Sequence, residues 1–245
     1  MKKKTVLITG ASRGIGRACA LKFALTGWNV VVNYLNSAEK ARELLETIKT
    51  SGADGIAIRA DVSSPEEVEG LFNQAAERYG EIDAVINSAG IAQKKLFIDI
   101  TNEDWRNMLD IDLSSVFYCS RQAVRHMMWN RRGCIINISS IWGITGGACE
   151  VHYSAAKAGV IGLTKALAKE AGQWNIRINC IAPGVIHTDM NADLTPADIT
   201  ELTSQTPLGR TGKPQDIAEL ALFLASQQSE FITGQIISPN GGLVI

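Results

Sequence analysis

The feature that most constrains this chain is a rhythm. Short, near-continuous apolar runs at 5–9, 29–33, 55–59, 84–87, 134–139 and 176–181 alternate with longer stretches of helical spacing, and a seventh short run stands at 235–238. A strand apolar at every position, rather than at alternate ones, has both faces buried, which is the signature of a parallel strand between two helical layers. The intervening stretches carry helix signals. Ser64-Pro65-Glu66-Glu67 is a capping box with proline at the first helical position, Val68, Leu71, Phe72, Ala75 and Tyr79 continue at helical spacing, and Gly80 ends the run. Thr101 caps a long helix predicted to run through Met128, and Pro214 opens the last one. Repeated βα units predict a single α/β domain, residues 1–245, with one doubly wound, Rossmann-type sheet and helices on both faces.

Composition sets the boundaries of function. At 245 residues, 46% hydrophobic and 20% charged, the chain is an ordinary globular one, long enough to bury about 70% of its extended surface. A formal net charge of −1 gives no electrostatic footprint for nucleic acid or an anionic membrane. Five scattered cysteines without a C-x-x-C pattern, and His126, His152 and His187 far apart, predict neither a disulfide framework nor a metal site. The lysines at the start precede too short an apolar run for a signal peptide, and no stretch approaches a membrane span. These readings predict a soluble cytoplasmic protein. The segment 186–213 is the one long, polar connection without a regular pattern, predicted to be a mobile substrate loop.

Thr9-Gly10-Ala11-Ser12-Arg13-Gly14-Ile15-Gly16 joins the first strand to the first helix. Glycines there permit a tight turn and close backbone approach, while the helix N-terminus offers free N–H groups to a pyrophosphate. Asn33-Tyr34 stands at the end of strand two, where a carboxylate would hold the ribose hydroxyl of NAD, and Glu39 is the first acid beyond it. Arg13 can neutralise a 2′-phosphate. Together these predict NADPH/NADP+ as cofactor. Asp61-Val62 and Asn87-Ser88-Ala89-Gly90 come directly after strands three and four, at the edge where open α/β sheets bind ligands. Tyr153 and Lys157 lie four apart on a helical stretch, hence on one face. An ammonium there favours the phenolate. Ser140, just past the fifth strand, can donate to a carbonyl oxygen.

With the glycine loop, Asn87-x-Ala89-Gly90, Ser140, Tyr153-x-x-x-Lys157 and Pro183-Gly184 in order along the whole chain, the sequence resembles the short-chain dehydrogenase/reductase family. The resemblance implies a seven-stranded sheet in order 3-2-1-4-5-6-7, usually a homotetramer, and reduction of a ketone to a secondary alcohol. By position it makes Tyr153 the general acid, Ser140 the orienter of the carbonyl, and Lys157 the residue that holds the nicotinamide ribose and tunes Tyr153. It assigns cofactor contacts to Gly10, Ser12, Arg13, Gly14, Ile15, Gly16, Asn33, Asp61, Val62, Asn87, Ala89, Gly90, Pro183, Gly184, Ile186 and Thr188. Within the family the chain looks most like 3-oxoacyl-acyl-carrier-protein reductases of fatty-acid biosynthesis.

Three positions depart from that pattern. Ser88 replaces an asparagine, Asp112 stands where an asparagine usually completes a catalytic tetrad, and Trp174 replaces one of two basic residues implicated in carrier docking, Arg131 keeping the other. The expectation for Asp112 is that it serves through its backbone carbonyl, which substitution leaves intact. Glu150 stands three residues before Tyr153, where the carrier-protein reductases generally have a neutral amide, and with Trp142 it is expected to border the substrate cleft. A carboxylate there suits a cationic amine better than an acyl chain. The stretches 91–97 and 139–143 also resemble a related branch that reduces an aminoketone attached to a translation elongation factor. An amine-bearing ketone is therefore the alternative substrate. A reading of another class, a catalytically weak dinucleotide-binding scaffold or sensor, draws support from Asp112 alone and is opposed by Ser140, Tyr153 and Lys157 together.

Overall fold

The computed structural model describes residues 3–191 and 194–245. Strands β1 (Thr5–Ile8), β2 (Asn29–Tyr34), β3 (Gly55–Arg59), β4 (Ala84–Asn87), β5 (Gly133–Ile138), β6 (Ile176–Ile181) and β7 (Ile236–Ile237) form one sheet in the order β3-β2-β1-β4-β5-β6-β7. Every pairing is parallel. Helices α1 (Gly14–Leu25), α2 (Ala38–Thr50), α3 (Pro65–Tyr79), α4 (Asn102–Leu109), α5 (Ser115–Met127), α6 (Trp142–Thr145), α7 (Val151–Ala171), α8 (Pro196–Gln205) and α9 (Pro214–Ala225) complete the described elements.

The continuous apolar runs are used as their pattern requires. In β1, Val6 and Ile8 face a core completed by Phe23 of α1, Leu44 of α2 and Leu224 of α9. Leu7 faces the opposite core, with Leu71 and Phe72 of α3, Ala123 of α5 and Ala168 of α7. Register carries that second face across the sheet, since Leu7 lies opposite both Val31 and Val85, Val85 opposite Ile135, and Ile135 opposite Ile178. A slip of one residue in any strand would turn its apolar set to the wrong face.

Where the strands end, polarity begins. Asn87 and Asn137 pair across β4 and β5. The Asn87 amide nitrogen donates to Asn137 Oδ1 (2.8 Å) and to Ser120 Oγ of α5 (3.1 Å), and the Asn137 amide donates to Thr164 Oγ1 of α7 (2.9 Å). This buried chain ties two strands to two helices at the sheet's carboxyl edge, each link strengthened by the low local dielectric.

Two expectations are corrected. The long helix predicted from Thr101 through Met128 starts at its cap, where Thr101 and Asp104 form a capping box, but it is interrupted by a π-helical turn at Asp110–Ser114. The wider turn shifts the helical phase between α4 and α5, and Asp112 within it is completely buried. The segment 186–213, read as lacking regular pattern, contains α8, opened by a Thr195–Asp198 capping box with Pro196 at the first helical position. The same signal that marks α3 was present there, and Ala192 and Asp193 of this segment lie outside the described residues.

Replacing Asn137 by alanine removes one of the two acceptors of the Asn87 amide and the amide donor to Thr164 Oγ1, in a dry interior. Chemical denaturation of Asn137→Ala is expected to show a loss of about 2–3 kcal/mol, against a few tenths for an exposed asparagine such as Asn73.

Candidate active site

Strand order reverses between β1 and β4, so the connections leaving them diverge and open a crevice at their carboxyl ends. The loop after β1 is held rigidly there. Thr9 Oγ1 accepts hydrogen bonds from the backbone N–H groups of Ser88 (3.0 Å) and Ala89 (3.1 Å), joining the two loops. Asn33 is 2% exposed; its Oδ1 accepts from the Gly10 N–H (3.2 Å) and its amide donates to the Ala60 carbonyl (3.0 Å). The residue at the end of strand two therefore bolts the glycine loop to the end of β3.

Gly10 adopts φ +62°, and a Cβ there would lie 2.8 Å from Ala89 Cα. A Cβ on Gly16 would lie 2.6 Å from the Gly10 carbonyl oxygen. These contacts admit only glycine, and they leave the start of α1 open. Its first turn has no acidic residue and no side chain caps it, so its N–H groups are free for an anion, with Arg13 at the N-cap. The donor set fits a dinucleotide pyrophosphate.

From this loop a cleft of about 410 Å³ runs past Tyr34, Leu35, Asn36 and Ser37 on one side and reaches Ser140, Trp142, Glu150, Tyr153 and Lys157 on the other. Every site residue expected from the sequence lines it except Asn87, whose side chain is spent on the buried polar chain, and Asp112, which sits behind the wall. Asp61 lines it while also holding the turn before α3, its carboxylate accepting from the Ser63 N–H (2.9 Å). No carboxylate occupies the end of strand two. Glu39, the first acid beyond, is paired with Arg42 in the first turns of α2 (2.9 Å).

Ser140 leaves β5 at the cleft floor, and Tyr153 and Lys157 descend one turn apart on α7. Tyr153 is 7% exposed and Lys157 5%. The Lys157 ammonium lies 5.5 Å from the Tyr153 ring centre, and the Ser140 hydroxyl favours the ionised phenol. Burial nevertheless pushes the Tyr153 phenol above its ordinary range, Lys157 opposes the shift and Asp112 adds to it. The field of Lys157 acts in the expected direction, and burial together with Asp112 outweighs it. Asp112 engages Lys157 directly, Oδ2 to Nζ at 2.9 Å. This side-chain contact is additional to the role expected of the Asp112 backbone carbonyl.

Sequence reasoning passed over the support behind this wall. His152, fully buried, contacts Gln93 Oε1 through Nε2 (2.8 Å), while the Gln93 amide donates to Asp104 Oδ1 (3.1 Å) and Lys95 pairs with Asp104 Oδ2 (2.6 Å). The stretch 91–97 is thus anchored to α4 and to the residue beside Tyr153. A polar cluster of Gln93, Lys95 and Asp104 close to a capping box was the available signal. Lys40 pairs with Asp189 (2.9 Å) across the outer mouth of the cleft. All five cysteines are free, no group of side chains among the described residues could hold a metal ion, and no described helix is long and apolar enough to cross a membrane.

A dinucleotide cradle ending at a buried tyrosine and lysine defines a nicotinamide-dependent oxidoreductase. Residues 10–244 match the family model described as enoyl-(acyl carrier protein) reductase. The 3-oxoacyl-[acyl-carrier-protein] reductase FabG of Staphylococcus aureus is 42% identical over 240 residues, 98% of each chain. The 3-oxoacyl-[acyl-carrier-protein] reductase of Synechocystis is 40% identical over 243 residues, covering 99% of this chain and 97% of that protein. A solved structure of a protein assigned as a gluconate dehydrogenase, from Agrobacterium tumefaciens, superimposes with a TM-score of 0.95 at 34% identity, over 99% of this chain and 96% of the other. The chain belongs to the short-chain dehydrogenase/reductase family.

Proposed function

We propose that the protein is an NADPH-dependent reductase that converts a ketone to a secondary alcohol, with a 3-oxoacyl group on an acyl carrier protein as its substrate. The observation that carries the chemistry is the convergence of Ser140, Tyr153 and Lys157 at the closed end of the dinucleotide cleft. The nicotinamide, when bound, supplies a hydride to the carbonyl carbon. Ser140 donates a hydrogen bond to the carbonyl oxygen and fixes its orientation. Tyr153 gives that oxygen its phenolic proton, and Lys157 stabilises the tyrosinate left behind. Trp142 and Ile186 line the cleft beside these residues and supply apolar surface next to the reacting atoms. Turnover is read as NADPH oxidation with a β-ketoester. Tyr153→Phe keeps the ring and removes the proton, so kcat is expected to fall by roughly 10²–10⁴-fold with NADPH still bound; near-normal turnover would mean that another acid serves.

Cofactor choice rests on Arg13 at the cleft mouth and on the absence of a carboxylate at the end of strand two, where Asn33 and Tyr34 stand. Arg13→Ala is expected to lower kcat/KM for NADPH by about tenfold or more, with NADH little affected. Equal use of the two cofactors by the unaltered protein would contradict the assignment.

Glu150 favours a second reading, in which the ketone carries a protonated amine. It is only 9% exposed and lines the cleft. Burial raises its carboxyl above the ordinary range, opposed by the field of Lys94. No described side chain forms an ion pair or hydrogen bond with it, so the field of Lys94 offsets the burial of its carboxyl only in part. The carrier-docking patch is also altered. Arg131 donates to the Gln173 carbonyl (2.7 Å), and Trp174 packs against the core. Kinetics on a 3-oxoacyl thioester and a 5-amino-2-ketone, for the native chain and Glu150→Gln, separate the readings. The amine reading predicts a loss of at least about tenfold in kcat/KM for the aminoketone alone; an unchanged value leaves Glu150 as a residue of the cleft rim and the thioester as substrate.

A further inference from the structure

Lys157 is buried beside a carboxylate, and the surrounding chain is built to hold the two together. Asp112 is fully buried, and its Oδ2 lies 2.9 Å from Lys157 Nζ. Its other oxygen, Oδ1, accepts from the Ile91 N–H at 2.8 Å, which fixes the carboxylate in one orientation. The π-helical turn at Asp110–Ser114 delivers the side chain inward. Gly90 makes room for it, since a Cβ there would lie 2.8 Å from Asp112 Oδ2 and 3.4 Å from Lys157 Nζ. Three elements, the turn, the loop after β4 and α7, thus enclose one ion pair.

The groups that face Tyr153 and Lys157 come from three further elements and from the residue that caps α7. The π-helical turn contributes Asp112, the start of α7 contributes Glu150, the loop after β5 contributes the Ser140 hydroxyl, and β6 contributes Cys180. Burial pushes the Cys180 thiol up to about 12, so it brings no charge. Burial pulls the Lys157 ammonium down, but Asp112 and Tyr153 together push it up and prevail. Lys157 is therefore a charged partner of Asp112 before it is a free positive charge acting on Tyr153.

We propose that Asp112 is a positioning residue that, by pairing with Lys157 and adding its own negative field, keeps Tyr153 in the phenol form and biases the site toward proton donation. Reduction consumes the phenolic proton, whereas alcohol oxidation needs the tyrosinate to accept one. The bias therefore widens the pH range of reduction and confines oxidation to alkaline conditions. This inference rests on the reading of Tyr153 as the proton donor.

The test is a pair of pH profiles of kcat/KM, for reduction of a β-ketoester with NADPH and for oxidation of the matching 3-hydroxyester with NADP+. For the native chain, the oxidation limb is expected to have its midpoint at or above the ordinary tyrosine value of about 10. Asp112→Asn keeps the acceptor for Ile91 and removes the charge. It should move that midpoint down by about 1–3 units and speed oxidation at mildly alkaline pH by about tenfold or more. A merely structural role would change the melting temperature and leave the midpoint in place. The same midpoint in both proteins overturns the proposal, and so does a native midpoint near neutrality, a result that requires no variant to fold. If neither ester is turned over by the native chain, the reductase reading fails and takes this inference with it. Turnover with an unmoved limb defeats the inference alone.

Discussion

Covering a parallel sheet on both faces leaves no apolar surface for chemistry to interrupt, so every polar group the chain needs is pushed to the carboxyl edge. Val6, Leu7 and Ile8 are all fully buried, and the strands on either side of β1 repeat the arrangement in register. The polar positions at the ends of those strands are Thr9, Asn33 and Asn87, and each is used to lock neighbouring segments together rather than to meet solvent. The crevice between β1 and β4 is a consequence of strand order. Its rigidity comes from these hydrogen bonds, and a rigid frame is what allows a glycine loop to sit at van der Waals limit beneath an anion site.

At the inner end of the same crevice, electrostatics is set by burial. Three ionisable groups, Tyr153, Lys157 and Asp112, share a volume in which water contributes little screening. Burial and the field of Asp112 push the Tyr153 phenol up while Lys157 pulls it down, and Asp112 and Tyr153 together push the Lys157 ammonium up. That arrangement differs from the simple picture of an ammonium stabilising a nearby phenolate; burial is the largest cause of the difference, and Asp112, delivered by one irregular turn, adds to it.

Much of this was legible in the sequence, and the parts that were not have physical reasons. The apolar runs located every strand within a residue or two, and the capping signals located α3 and the openings of α4 and α9. The strand order and the full set of loop residues came from the family resemblance rather than from pattern alone. The π-helical turn could not be read, since Asp110-Ile111-Asp112-Leu113 fits ordinary helical spacing and the extra residue per turn has no local signature. The direction of the Asp112 side chain depended on that turn, so the ion pair with Lys157 was hidden too. The helix at Pro196–Gln205 was missed for a different reason: its cap is plain in Thr195-Pro196-Ala197-Asp198, but the surrounding polarity masked it. The uses of Asn33 and His152 needed partners 27 and 59 positions away along the chain, which no local pattern supplies.

At the end of the dinucleotide cleft, burial pushes the Tyr153 phenol up and the Asp112 carboxylate adds to the shift, against the pull of Lys157. An ultraviolet difference titration of the native chain against Tyr153→Phe observes that ionisation directly, without substrate or turnover. The phenolate signal of Tyr153 is expected to emerge only above the ordinary tyrosine range. A signal that emerges near neutral pH would contradict that assignment.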